Sequence, residues 1–89
     1  MTSISITYTD AHLRILIEEF IAMQRSSFTF KDACSYILYR AMEEGRTAGT
    51  TLYESNQLKT EDCERVSEIL DKIVVEGRIE KNDEMFIKK

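Results

Sequence analysis

Residues 60–89 read TEDCERVSEILDKIVVEGRIEKNDEMFIKK, and the pattern of this stretch decides the fold. Cys63, Val66, Ile69, Leu70, Ile73 and Val74 recur at three- and four-residue spacing, as in a helix with one buried face. Thr60 has the hydroxyl of a helix cap. Glu61 and Asp62 follow it in the first turn, where carboxylates complement the positive end of the dipole. Gly77 is suited to the left-handed position that closes such a helix. Residues 78–81 and 85–88 then read as short strands, with Asn82 and Asp83 as turn formers. The spacing predicts a helix over 60–76 and a hairpin over 77–89, with Ile79 and Ile87 pointing inward.

Upstream lies residues 45–59, GRTAGTTLYESNQLK, the least regular part of the chain. Glycine, threonine and serine argue for a connection, whereas Leu52, Tyr53 and Leu58 argue that it is pinned to the body. A structureless link of that length is unusual in a small domain, so local structure is expected, a helical turn over 52–58 being one form. Before it, Thr29 and Asp32 have the spacing of a capping box, opening a helix over 29–44. Phe30, Ala33, Cys34, Ile37 and Ala41 form its core face, Leu38 widens it, and Gly45 ends it.

A further helix is expected over 10–25, capped by Thr7 or Thr9, with Leu13, Leu16, Ile17, Phe20 and Met23 as its core stripe. Ala11, Ile15 and Ala22 fall together on its other side, either as scattered surface residues or as a seat for the N-terminal arm or a partner subunit. Residues 26–29 break the helical pattern. Residues 1–9 form an N-terminal arm or short strand, since Ser3 to Tyr8 alternate polar and apolar. The fold class is therefore α+β, three helices and a C-terminal hairpin in a single domain.

Composition narrows the setting. The 89 residues suffice for one modest core. No apolar run approaches the ~20 residues of a membrane span, and the N-terminus lacks the features of a signal peptide. Cys34 and Cys63 make no disulfide framework and suit a reducing compartment, so a cytoplasmic location is expected. The net charge of −4 removes the simplest electrostatic argument for a nucleic-acid partner, although it leaves room for a local basic face.

Catalytic chemistry has few candidates. His12, the single histidine, sits beside a core stripe and has no second histidine with which to hold zinc. Cys34 and Cys63 lie on helix core faces, where cysteine behaves as a small hydrophobe. The segment Gly45-Arg46-Thr47-Ala48-Gly49 lacks the spacing and lysine of a phosphate loop. Neither an enzyme nor a cofactor or metal site is expected.

Helix, helix, connection, helix and terminal hairpin over residues 26–89 resemble the winged helix-turn-helix domain family. The specific likeness is the run VSEILDKIVVEGRI at 66–79, where a helix ends in an apolar pair, an acid and a glycine before the first wing strand, as in bacterial winged-helix regulators. The resemblance implies a DNA-binding transcription regulator whose third helix enters the major groove. Double-stranded DNA would then meet Arg65 and Lys72 on that helix and Arg78, Lys81 and Lys88 on the wing. The outer face implied for the helix is Glu61, Glu64, Arg65, Glu68, Asp71 and Lys72, mostly acidic. That charge favours an alternative, a winged-helix protein–protein interaction module without DNA binding. Its partner would be another protein or a second copy, and its interface residues Tyr39, Val75 and Phe86.

Overall fold

The computed structural model describes residues 3–48 and 57–89. The element order is β1 (Ser3–Ile6), α1 (Asp10–Met23), β2 (Ser27–Thr29), α2 (Phe30–Glu43), β3 (Thr47–Ala48), β4 (Gln57–Leu58), α3 (Thr60–Val75), β5 (Ile79–Asn82) and β6 (Met85–Lys88). Strands β2, β6 and β5 form an antiparallel sheet in that order, and β1 lies between β3 and β4 in a second small sheet. The fold is α+β and compatible with a small winged-helix-like fold.

Both glycine stops behave as their sequence predicts. Gly45 (φ +71°) and Gly77 (φ +82°) are left-handed, and Arg46 and Arg78 donate their backbone N–H groups back to Ala41 and Ile73. These bonds satisfy carbonyls that the helix ends would leave bare. The capping box at α2 is complete: Thr29 Oγ1 accepts from Asp32 N–H and Asp32 Oδ2 accepts from Thr29 N–H, each at 3.0 Å. At α3 the cap is displaced by one residue. Lys59 occupies it without a side-chain bond, and Thr60 is the first helical residue. Helix α1 ends at Met23, short of residue 25, because Gln24 is already extended toward β2.

The core is built on Leu13, Leu16, Ile17, Ile37, Val66, Leu70 and Ile73, all buried between the three helices. Met23, expected in that core, is 59% exposed, and Ile21 is buried instead. The buried arc of α1 is turned toward Ile17 and Ile21 because the helix meets α3 as well as α2. Phe30, Cys34 and Leu38 of α2 are half-buried against the core rather than inside it.

Two strand arrangements were not legible. Residues 26–29 contain β2, which pairs with β6 by placing Phe28 opposite Phe86. The β5–β6 register sets Asn82 against Met85 and Lys81 against Phe86. Paired residues share a face, so an inward Ile79 carries Lys81, Phe86 and Lys88 to its side and turns Ile87 away. Phe86 is accordingly buried and Ile87 only half-buried, the reverse of the sequence expectation. Phe28 stacks on Phe86 at 5.4 Å, and Phe20 meets Phe28 edge-on at 5.1 Å. This aromatic column joins the sheet to α1.

The connection supplies strands at both ends, with β3 antiparallel and β4 parallel to β1. Leu58 is buried as expected, but residues 57–58 are extended rather than helical. Leu52 and Tyr53 lie outside the described residues. The N-terminal arm is thus a strand, and it is seated over the start of α3. Ile6 N–H donates to Asp62 Oδ2 at 3.1 Å, and Thr7 N–H donates to the Arg46 carbonyl at 3.0 Å. The stripe of Ala11, Ile15 and Ala22 does not receive it and stays exposed.

Candidate interface on the third helix and the wing

The core positions of α3 are Asp62, Val66, Ile69, Leu70 and Ile73. At 100° per residue the opposite arc is Glu64, Glu68, Asp71 and Val75, with Glu61 beside it, and all five are exposed. A row of carboxylates ending in a methyl-rich tip therefore faces solvent. Val75 is 87% exposed and bordered by Asp71, Lys72 and Glu76.

Of the bases expected to meet phosphate, three are already engaged within the fold. Arg65 donates to Asp10 Oδ1 (2.9 Å), Asp62 Oδ1 (3.1 Å) and the Tyr8 carbonyl (2.6 Å), tying α3 to the N-terminal segment. Arg78 donates to Glu18 Oε1 at 2.6 Å. Lys88 Nζ donates to the Ala22 and Gln24 carbonyls at 3.2 and 3.1 Å, closing the end of α1. Among the described residues Lys72 and Lys81 make no ion pair, and Lys81 Nζ lies 5.8 Å from the centre of the Phe86 ring. Arg40 is also held, by Glu44, Glu19 and the Tyr36 hydroxyl. Arg40, Arg65, Arg78 and Lys88 are thus taken up by separate carboxylates, a hydroxyl and backbone carbonyls within the fold.

Arg14 extends the pattern, bonding Glu18 at 2.9 Å and Glu76 at 2.6 Å. With Arg78 these residues link α1, the end of α3 and the start of the wing. Hydrogen bonds from Arg78 and then Arg14 hold the Glu18 carboxyl below the usual range, and the bond from Arg14 does so for Glu76. Only the Arg14–Glu18 pair, four apart on one helix, was readable from spacing.

The expected interface residues divide. Val75 is exposed, and Tyr39 is 60% exposed on α2. Phe86 is 4% exposed inside the sheet and is a core residue. An open cleft of about 420 Å³ lies between the wing and the helices, lined by Phe30, Lys31, Ser67, Lys81 and Glu84 among others. Its charges are mixed. Among the described residues no group of three or more His, Cys, Asp or Glu side chains is placed to hold a metal, and no helix is long and apolar enough to cross a membrane. His12 lies half-buried with its ring 4.7 Å from that of Tyr8.

Compared with known proteins, the chain matches no family model, no curated protein and no solved structure at a significant level.

Proposed function

We propose that the chain is a winged-helix-like protein-interaction module whose third helix docks on a basic surface of another protein. The observation that carries this reading is the outer arc of α3, where Glu61, Glu64, Glu68 and Asp71 lead to the exposed Val75. In a DNA groove those four carboxylates would face phosphates, and no counterions would be released to drive binding. Against lysines and arginines the same row is complementary, and Val75 offers the apolar contact that a polar rim surrounds. Helix stability does not account for the row. Like charges at Glu64–Glu68 and Glu68–Asp71 cost an isolated helix about 0.2–0.5 kcal/mol per pair, with Lys72 four positions after Glu68 as an offset, while Arg65 is turned to Asp62, Asp10 and the Tyr8 carbonyl. A second copy is a poor occupant of this face, because a two-fold contact would set acid against acid. The two free cysteines, Cys34 and Cys63, support placing the module in the cytoplasm.

The DNA-binding regulator is the competing reading. It keeps the fold's usual association with DNA, and on this surface it would depend chiefly on Lys72 and Lys81. Amide NMR at low salt separates the two. Titration with a short duplex is expected to leave the α3 amides unmoved. A lysine-rich amphipathic peptide is expected to shift the amides around Glu64, Glu68, Asp71 and Val75, with binding lost as salt rises. Duplex-induced shifts along α3 and the wing would instead restore the DNA reading.

A further inference from the structure

We propose that Cys34 and Cys63 form an oxidisable dithiol, a site where a low-molecular-weight disulfide closes a Cys34–Cys63 crosslink between α2 and α3. Twenty-nine positions separate these residues in the chain, and each alone reads as a small hydrophobe. The fold brings them together. Both are half-buried free thiols lining one cavity of about 320 Å³, which Phe30, Leu38 and Leu58 make largely apolar. Cys63 Sγ lies 3.9 Å from the Leu58 carbonyl at the start of α3. Burial, and next the neighbouring Cys63, push the Cys34 thiol up to about 12. Cys34 therefore waits as the neutral thiol. The cavity gives a small oxidant access, and Lys31 on its lining is a cation suited to a carboxylated disulfide such as oxidised glutathione.

The exchange takes two steps. Cys63 loses its proton and its thiolate attacks one sulfur of the oxidised glutathione, forming a mixed disulfide and expelling one glutathione thiolate. Cys34 then gives up its proton and attacks the Cys63 sulfur, forming the internal disulfide and releasing the second glutathione. The protein loses two electrons and two protons, and the oxidant gains them as two thiols. The crosslink ties α2 to α3 and encloses the connection over residues 45–59 in a covalent loop.

The test is oxidation of the full chain with oxidised glutathione, followed by alkylation and mass spectrometry without reductant. The native chain is expected to become lighter by about 2 Da, refuse alkylation and yield tryptic peptides 32–40 and 60–65 joined together. Closure in the folded chain should be at least about tenfold faster than in denaturant, since the fold holds the thiols close. The Cys34→Ser variant should stop at the mixed disulfide on Cys63, heavier by about 305 Da. The proposal is overturned by a stable adduct carrying two glutathiones, by thiols that remain alkylatable, by closure no faster than in denaturant, or by a Cys34→Ser chain that takes no glutathione.

Discussion

Asp62 shows how one side chain can change meaning between sequence and structure. As a first-turn acid it complements the dipole of α3, and it does so in the sequence alone. In the fold it is 6% exposed, with one oxygen accepting from the Ile6 N–H and the other from Arg65. Arg65 in turn reaches Asp10 and the Tyr8 carbonyl, so the pair clamps the N-terminal strand. Truncating Asp62 leaves a buried amide without an acceptor and an arginine without the more buried of its two carboxylate partners. Asp62→Ala is expected to destabilise the chain by about 2–3 kcal/mol in urea unfolding. Asp62→Asn keeps an oxygen for Ile6 and should lose about half as much. Equal losses for the two variants would show that the Ile6 bond contributes little. Arg65 thus acts in tertiary structure, a role the position-by-position reading of α3 could not reveal because its partners lie 55 and 57 residues away.

At the scale of elements, the hairpin separates what periodicity can and cannot give. Two strands and their turn are visible in residues 78–88, and β6 spans the expected residues. Which alternate residues face the core depends on register, and register depends on where the turn lies. Placing Asp83 in the left-handed region (φ 56°) fixes Asn82 opposite Met85 and sends Phe86 inward against Phe28. Two substitutions test this assignment by thermal or urea unfolding. Phe86→Ala is expected to cost about 3–5 kcal/mol, a large part of the stability of a domain this size. Val75→Ser, on the outer tip of α3, is expected to remain within about 0.5 kcal/mol of the parent. A mild Phe86→Ala variant would contradict the stacked aromatic column. The strand β2 escaped the sequence reading because three residues are too few for a period, and only pairing with β6 defines it.

For the whole molecule, the distribution of charge dictates how stability follows pH. Glu18, Glu44 and Glu76 have carboxyls held below their ordinary value, Glu18 by Arg78 and Arg14, Glu44 by Tyr8 and Arg40, and Glu76 by Arg14. A depressed folded pKa means that the unfolded chain binds the proton first. The stabilisation is therefore complete above about 4.5, the unfolded value, and is lost as pH falls through the lower folded values. At the alkaline end Tyr8 moves the opposite way, pushed up to about 12 by burial and then by its hydrogen bond to Glu44. Its contribution is complete below pH 10 and disappears as pH rises toward about 12. Urea midpoints should therefore be level near neutrality and fall on both sides. The Arg14→Met, Arg78→Met double variant should flatten the acid limb, whereas an unchanged limb would place the responsible carboxylates elsewhere. Tyrosinate absorbance should show one phenol titrating near 12.

The sequence by itself determined the three helices, both glycine stops, the α2 capping box and the terminal hairpin. Each depends on neighbours within four residues or on a strict local period, and such interactions form wherever the chain goes. It also determined that the outer arc of α3 is acidic, since the helix period alone gathers Glu61, Glu64, Glu68 and Asp71. Tertiary structure decided which bases are available to a partner, because Arg65, Arg78 and Lys88 find acceptors outside their own elements. It decided that Phe86 is core and Ile87 only half-buried, through a strand register fixed by a turn. It alone brought Cys34 and Cys63 to one cavity, because the proximity of two helices is a property of packing and leaves no mark on the spacing of either.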